Sequence, residues 1–333
     1  MSKNVKPSPE SLLEIAVGYQ RSGVLFALVE LEIPTFLRDE PRSIDEIAAQ
    51  TDVDKIALDR LLNAAVALGL IEREDDSMFQ NSSSSNEFLV KDEADYLGEQ
   101  FLFYKENSYP RWTELTEKLR DWQAGNNDEQ DADDEDQDAE TLAPQHNLAL
   151  LAGKALGRAF DFTKSKKMLD VGGGTGAMSI AICEGNEDLQ ATVFDLANVA
   201  KVADEFIKKA GLENRITTKI GNFKSDDLPT DFDVILLANL LSVASEDTNR
   251  KFLKQIYDKL PDDGVCLISG WILDDSRASP ETAVLFCLED VMNGVPDVER
   301  TETTYRKWLE DAGFTDVKRE IYLAPYSFIA ATK

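Results

Sequence analysis

Residues 168–182 read MLDVGGGTGAMSIAI, in which an apolar strand runs into a glycine-rich turn and then into a helix. Glycines at positions 172, 174 and 176 allow the backbone to turn tightly and to approach a ligand closely, with amide groups pointing outward at the helix start. The spacing alone is weakly diagnostic, and a nicotinamide dinucleotide is one candidate ligand. Asp170 argues against it, because a carboxylate just before the glycines repels a pyrophosphate but suits a cation. Asp195 ends the next predicted strand, where its carboxylate is placed to accept hydrogen bonds from ribose hydroxyls.

Strands alternate with helices from Lys166 to the end of the chain. The predicted strands read KMLDV, ATVFDL, ITTKIGNF, DVILLANLL, VCLISGWIL, VKREIYL and YSFIAATK. This alternation predicts a doubly wound α/β fold with a seven-stranded, mostly parallel sheet and ligands at the carboxyl ends of its strands. Only a few residues around Pro325 join the last two strands, too few for a parallel crossover, and so we expect an antiparallel hairpin there.

The N-terminal part of the chain has a helical pattern instead. A capping box, Ser43 with Glu46, precedes one amphipathic segment, a second helix ends at Gly69, and residues 71–82 are consistent with a small hairpin. This order is the outline of a winged helix, and it favours an interaction or dimerisation module. A DNA-binding regulator is the alternative, but its reading helix would offer only Lys55 and Arg60 to phosphates.

The composition narrows the range of partners. The formal net charge is −28, which disfavours nucleic acid and anionic membrane surfaces. Residues 126–140 form an acidic tract with nine acidic side chains and no base, which predicts a solvated, mobile loop, with cation binding as an alternative. The three cysteines are far apart and predict neither disulfides nor a metal cluster. No signal-peptide core or membrane-length apolar run is evident in the sequence, which places the protein in the cytoplasm.

Taken together, the motifs LDVGGGTG, VFDLANV, GNFKSDDLP, LPDDGVCLIS and VERTETTYRKWLEDAGF resemble class I S-adenosylmethionine-dependent methyltransferases. More narrowly, the chain is similar over nearly its whole length to the small-molecule O-methyltransferase family typified by plant caffeate and bacterial antibiotic enzymes. The resemblance implies a homodimer formed through a winged-helix dimerisation domain at residues 1–125. The acidic tract would follow at 126–140, and a metal-independent catalytic domain that binds S-adenosylmethionine would occupy 141–333.

The same resemblance implies roles for the residues around the cofactor. Gly172, Gly174 and Gly176 would hold the methionine part, with Asp170 near its amine, while Asp195 would bind the ribose. Leu196 and Phe223 would pack on the adenine, Asn222 would meet its amino group, and Asn239 would reach the cofactor from the fourth strand. Asn222 departs from the family's usual aspartate, and turn or cap chemistry is the alternative role for these loop residues.

The family's catalytic base is missing from the sequence. The histidine that follows the fourth strand is replaced by Ser242, and the supporting glutamate after the fifth strand is replaced by Gly270. Glu299 of the family's E-R-T motif is retained. His146, the one histidine in the chain, is a candidate displaced base, with a capping or surface role as the alternative.

A missing base favours an acceptor that carries no proton, because a general base is typically worth about 10²- to 10⁴-fold on a hydroxyl acceptor. The sequence hypothesis is therefore a thioether sulfur, such as that of 4-methylthio-2-hydroxybutyrate, with a thiolate or a reactive ring carbon next. A hydroxylated metabolite methylated through a displaced base is the alternative. A non-methylating enzyme that binds S-adenosylmethionine, or a regulatory binding protein, are further rivals.

Substrate contacts are predicted from side-chain chemistry. An acceptor carboxylate would need an arginine, and aromatic rings could wall the pocket and hold a sulfonium by cation–π contact. Surface ion pairing and core packing are the respective alternatives. The candidates are Arg21, Phe103, Tyr104, Tyr109, Arg111, Trp112, Trp271, Met292 and Arg300.

Overall fold

A computed structural model describes residues 8–74, 77–122, 139–292 and 300–333. The chain forms two compact units, residues 1–109 and 110–333. The predicted boundary near residue 125 differs from this division, because helix α9 (Leu115–Asp121) packs against helix α14 (Glu281–Met292) and so belongs to the second unit. Most of the acidic tract, residues 126–138, lies outside the described residues.

The first unit is mainly helical. Ser43 accepts from the Glu46 amide while the Glu46 carboxylate accepts from the Ser43 amide, so the predicted capping box starts α4 as expected. Three short strands pair antiparallel in the order β1-β3-β2, which completes a helix–turn–helix and hairpin arrangement. The elements are α1 (Pro9–Ala16), α2 (Tyr19–Glu30), α3 (Ile33–Phe36), β1 (Arg42–Ser43), α4 (Ile44–Thr51), α5 (Lys55–Ala67), β2 (Ile71–Arg73), β3 (Met78–Asn81), α6 (Ser83–Phe88), α7 (Gly98–Phe103) and a π-helical turn at Tyr104–Ser108.

The N-terminal helices of this unit expose apolar side chains. Leu12, Leu13 and Ile15 are 54%, 65% and 75% exposed, and Val17 and Tyr19 continue the apolar surface. By length and composition alone, the segment Pro9–Glu30 is long enough and apolar enough to span a membrane, whereas no membrane-length apolar run was expected from the sequence. A helix that packs against protein can have the same length and composition.

The second unit contains the predicted seven-stranded sheet in the order β6-β5-β4-β7-β8-β10-β9. Strands β4 to β8 are parallel, whereas β10 pairs antiparallel with both β8 and β9, confirming the expected C-terminal hairpin. After α8 (Tyr109–Trp112) and α9 come α10 (Ala139–Ala159), β4 (Lys167–Val171), α11 (Ala177–Gly185), β5 (Gln190–Asp195), α12 (Ala197–Lys209), β6 (Ile216–Ile220), β7 (Val234–Ala238), α13 (Glu246–Lys259), β8 (Val265–Gly270), α14, α15 (Glu302–Ala312), β9 (Thr315–Leu323) and β10 (Tyr326–Thr332).

The sheet is covered on both faces by apolar clusters. One cluster includes Leu237, Trp308 and Ile329, and the other includes Leu156, Met168 and Leu236. Successive strand residues contribute to opposite clusters, as the two-residue period of a strand requires. Because β4 to β8 run parallel, the loops that follow their carboxyl ends lie at one edge of the sheet.

Candidate active site

The turn between β4 and α11, residues Gly172–Gly176 (the glycine turn), depends on left-handed backbone conformations. Gly172, Gly174 and Gly176 have φ angles of +66°, +57° and +75°, which strain any residue with a side chain. A Cβ on Gly172 would lie 2.5 Å from Leu240 Cδ1, whereas a Cβ on Gly174 would have nothing within 4 Å. The turn is thus packed on its inner side and open at Gly174, where a ligand can approach the backbone.

Asp195, at the end of β5, is held against the glycine turn. Its Oδ2 accepts a hydrogen bond from the Gly174 amide at 2.9 Å, and its Oδ1 accepts one from the Leu196 amide at 2.8 Å. These two bonds orient the carboxylate beside the open part of the turn. A carboxylate can accept about four hydrogen bonds in all, so this geometry is compatible with the predicted ribose contact.

Asp170 lies beneath the glycine turn and is 0% exposed. Its Oδ2 accepts from Ser179 Oγ at 2.7 Å, and among the described residues its Oδ1 has no hydrogen-bond partner. Burial raises the pKa of this carboxyl to about 7. Since it is fully buried, Asp170 cannot touch a ligand in this conformation, and its predicted position near the cofactor's amine stays a prediction. Its influence on a bound cation would pass through the turn as an electrostatic interaction.

Asn222 and Phe223 follow β6. The Asn222 side-chain oxygen accepts a hydrogen bond from the Lys224 backbone N–H at 2.9 Å, and the Asn222 backbone N–H donates one to Asp226 Oδ2 at 2.9 Å. This is the turn chemistry weighed as the alternative to adenine binding. Phe223 is half-buried and packs edge-on against Phe252, with ring centroids 5.1 Å apart, so one part of the ring belongs to the core.

Asn239 occupies the space that a larger residue at position 270 would need. It follows β7 with a φ of +53°, a conformation that asparagine tolerates better than most residues. A Cβ on Gly270 would lie 2.9 Å from Asn239 Oδ1. The glutamate that the family resemblance leads one to expect at 270 therefore does not fit without a shift of Asn239.

Ser242 lies on a 3₁₀ turn, Leu241–Val243, directly after β7. Its Oγ donates to the Asn239 carbonyl at 3.0 Å. The turn is fixed from below by Asn249, whose side-chain amide donates to the Leu241 carbonyl at 2.7 Å. A hydroxyl engaged with a backbone carbonyl and unaccompanied by a described basic group has no means of removing a proton from an acceptor.

His146 is buried against the glycine turn, where the sequence analysis expected either a base or a surface residue. Its Nδ1 is hydrogen-bonded to Thr175 Oγ1 at 2.7 Å, and its ring stacks on Phe206 with centroids 3.9 Å apart. Burial is the main cause that lowers its pKa to about 4, and the nearby Lys209 contributes. The imidazole is therefore neutral at physiological pH and is committed to contacts within the protein.

Arg300 forms a buried ion pair with Asp290 of α14. The Nη1 to Oδ2 distance is 2.6 Å, and Arg300 is 9% exposed. Burial raises the pKa of Asp290, and Arg300 opposes that rise. The Asp290 carboxylate offsets the cost of burying the Arg300 charge inside this unit. Arg300 was predicted to bind a carboxylate of the methyl acceptor, and here its ion-pair partner is a carboxylate of the protein itself.

The remaining substrate candidates are divided between the two units. Trp271 follows Gly270 and packs against Phe286 and Tyr326, with ring centroids 3.7 and 5.6 Å apart. In the first unit, Tyr109 packs edge-on against Phe26 at 5.9 Å. Met292 is buried, Phe103, Tyr104 and Trp112 are half-buried, and Arg21 and Arg111 are exposed. Glu299 lies outside the described residues.

Sequence reasoning missed two residues of the site. Thr175 is the non-glycine residue of the turn that contacts His146, and its position between two glycines was an available signal. Asp290 was missed because nothing in the local pattern of α14 distinguishes it from an exposed acidic residue. Its partner is ten positions away in sequence, and only the tertiary fold brings the two together.

The arrangement fits S-adenosylmethionine. Gly174 is open to a ligand, Asp195 presents a carboxylate beside it, and the buried Asp170 Oδ1 has no hydrogen-bond partner among the described residues. A ligand that combines a positive charge with ribose hydroxyls complements these features better than a pyrophosphate does. A phosphate group would meet the Asp195 carboxylate at this turn, with the Asp170 carboxyl buried beneath it.

Two protein-family models match the chain. Residues 121–315 match the family model of the O-methyltransferase domain, and residues 13–91 match that of the O-methyltransferase dimerisation domain. Relatives include 3-hydroxy-5-methyl-1-naphthoate 3-O-methyltransferase of Streptomyces sahachiroi, 30% identical over 95% of this chain and 92% of that protein. Acetylserotonin O-methyltransferase of Gallus gallus is 27% identical over 93% of each chain.

Solved structures share the whole architecture. Human N-acetylserotonin methyltransferase in complex with S-adenosylmethionine superimposes with a TM-score of 0.81 at 25% identity, covering 100% of this chain and 99% of that one. The pyocyanin biosynthetic protein PhzM gives a TM-score of 0.84 at 20% identity over 97% and 98% of the two chains, a likeness of fold alone.

Proposed function

The chain belongs to the O-methyltransferase family and is a methyltransferase that depends on S-adenosylmethionine, and from this premise we propose that it methylates a hydroxyl oxygen of a small metabolite. The relatives named above are O-methyltransferases by name, and they give no support to the thioether acceptor that the missing base favoured. The oxygen alternative fits better. The observation that carries the proposal is the family match over both domains, and the open glycine turn with the Asp195 carboxylate beside it supports the cofactor assignment.

Bound S-adenosylmethionine supplies a methyl group on a positively charged sulfur, which an electron-rich atom can attack directly. The residues of this chain then have two tasks, to orient the cofactor and to exclude water from the line of attack. The open backbone at Gly174 and the Asp195 carboxylate serve the first task. A positively charged cofactor stabilises the ionised form of Asp170 beneath the turn, so this carboxyl favours the cofactor over its neutral product.

The absence of the usual base restricts the acceptor. Ser242 donates to a backbone carbonyl and Gly270 carries no side chain, so neither can take the acceptor proton. We infer an acceptor hydroxyl that is acidic by its own chemistry, such as a phenol or enol conjugated to a carbonyl group. Such a hydroxyl is partly ionised near neutral pH and needs little help from a base. Glu299 is the remaining candidate for assistance.

A series of substituted phenols with decreasing pKa tests this proposal. Release of S-adenosylhomocysteine should increase as the acceptor becomes more acidic, and the pH at half-maximal rate should follow the pKa of each acceptor. 4-Methylthio-2-hydroxybutyrate belongs in the same panel as the thioether probe. Turnover of the thioether alone would overturn the oxygen proposal, and a large loss of rate in Glu299→Gln with every phenol would overturn the base-free part.

We also propose that the protein is a homodimer that buries the exposed face of α1. Apolar residues at this face, Leu13 and Ile15 among them, would be costly to leave in water, and the dimerisation-domain match begins at residue 13. Leu13→Glu with Ile15→Glu should convert the dimer to a monomer in light scattering coupled to size exclusion. Gln20→Glu adds a charge at an exposed position nearby and serves as the control. A dimer that survives the double change contradicts this interface.

We place the protein in the cytoplasm, and a tagged chain in fractionated cells tests that location.

A further inference from the structure

We propose that His146 is a positioning residue that fixes the glycine turn through Thr175 and thereby sets the affinity for S-adenosylmethionine, without taking part in methyl transfer. The inference rests on the cofactor assignment above. Its basis is the 2.7 Å hydrogen bond between His146 Nδ1 and Thr175 Oγ1, in a place where His146 is 9% and Thr175 6% exposed.

The glycine turn needs external anchors. Three of its residues are glycines with positive φ, and glycine loses more conformational freedom on ordering than any other residue. Two side chains hold the turn from outside. Asp195 binds the Gly174 amide, and His146 binds the Thr175 hydroxyl one residue further on. Both bonds are present without the cofactor, but Asp195 is also predicted to bind the ribose, whereas His146 contacts only protein groups and so acts on the turn alone.

His146 is held in position by close packing of two helices. It lies on α10, seven residues before Gly153 and eleven before Gly157, a spacing that places all three on one helix face. A Cβ on Gly153 would lie 2.8 Å from Ala181 Cβ of α11, so the helices touch almost backbone to backbone there. Because α11 begins directly after the turn, this contact aligns the imidazole with Thr175.

The surroundings of the imidazole oppose a role as base. One ring face packs on Phe206, and the ammonium of Lys209 lies 4.9 Å from the centre of that same phenyl ring. Since Nδ1 is committed to Thr175, protonating the ring would place a second positive charge in a buried site near Lys209. His146 is therefore a neutral hydrogen-bonding group that acts on the cofactor through the backbone of the turn.

The test measures binding of S-adenosylhomocysteine by calorimetry in variants that delete the contact from either side. His146→Leu and Thr175→Val keep the side-chain volume and remove the hydrogen bond. Each variant should raise Kd about three- to tenfold, because that fold-change corresponds to the free energy that one neutral hydrogen bond usually contributes. The double variant should bind no more weakly than either single one, because both remove the same contact. His146→Asn, which keeps a polar group near Nδ1, and Thr175→Ser should bind nearly as wild type.

Kinetics separate positioning from catalysis. In His146→Leu the KM for S-adenosylmethionine should rise while kcat at saturating cofactor stays within about twofold. Because the chain has one histidine, ¹⁵N spectra should contain one pair of imidazole nitrogen signals. These signals should have the chemical shifts of a neutral ring at pH 6 and should move on addition of S-adenosylhomocysteine.

Ser85→Ala serves as a stability control in the first unit. It removes a buried hydrogen bond from Ser85 Oγ to the Leu70 carbonyl, 2.6 Å long, and should lower Tm without changing Kd. Three results would overturn the inference: unchanged Kd in both single variants, multiplicative effects in the double variant, or a raised Kd in Ser85→Ala. If the wild-type protein binds no S-adenosylhomocysteine, the proposed function itself fails, which is a distinguishable outcome.

Discussion

Replacing Asp170 by asparagine should stabilise the cofactor-free protein at alkaline pH and not at acidic pH. Burial raises the pKa of this carboxyl from 3.8 to about 7. Below pH 3.8 the carboxyl is protonated in both the folded and the unfolded chain and does not affect the free energy of unfolding. As the pH rises from 3.8 to about 7, only the unfolded chain gives up the proton, so wild-type stability falls. Above pH 7 the decrease in the wild-type free energy of unfolding is complete and no longer changes with pH.

The magnitude follows from the shift. A difference of about three pKa units corresponds to at most about 4 kcal/mol, at 1.36 kcal/mol per unit. Asparagine carries no charge at any of these pH values, so the gain of Asp170→Asn over wild type should grow from near zero at pH 4 to its maximum at pH 8. For a unit of this size each kcal/mol moves Tm by about 2–4 °C. Thermal unfolding at fixed protein concentration, at pH 4, 6 and 8, measures the effect.

A second measurement connects the same carboxyl to the cofactor. A bound cation near the turn would lower the pKa of Asp170, and so binding at pH 6 should release protons. The binding enthalpy of S-adenosylmethionine should then depend on the ionisation enthalpy of the buffer in wild type and lose that dependence in Asp170→Asn. Asp188→Asn, at a carboxylate whose side chain is 86% exposed, is the matched control. The reasoning is refuted if Asp170→Asn is no more stable than wild type at pH 8.

Three further outcomes follow from the site geometry. Gly172→Ala should lower the free energy of unfolding in urea more than Gly174→Ala does. Both substitutions place a side chain at a left-handed position, at a cost of about 1–2 kcal/mol, but only the first also brings a Cβ to 2.5 Å from Leu240. Equal losses of stability would contradict this. Ser242→Ala should leave kcat/KM within about twofold, since its hydroxyl donates to a backbone carbonyl, and a hundredfold loss would show that the serine acts on the acceptor. The rate between pH 5.5 and 8 should show no ionisation of His146, whose pKa is about 4; an inflection near pH 6.5 that disappears in His146→Asn would disprove the assignment.

The sequence specified the fold in more detail than the surroundings of the site residues. It already showed that Ser242 and Gly270 stand where the family has its base and its supporting glutamate. The structure adds that Asp170 is buried beneath the turn, that Ser242 donates to the backbone, and that Asn239 takes the space beside Gly270. Residue type at an aligned position does not specify which atoms a ligand can reach.

The sequence by itself determined the alternation of strands and helices, the glycine turn after β4 and the terminal hairpin. These features depend on periodicity, on left-handed glycines and on connection length, all of which are local along the chain. Only the tertiary structure decided that His146 contacts Thr175, 29 residues away, and that Asp290 neutralises Arg300. Burial, pKa and hydrogen-bond partner depend on which distant segments the fold packs around a side chain, and no local pattern carries that information.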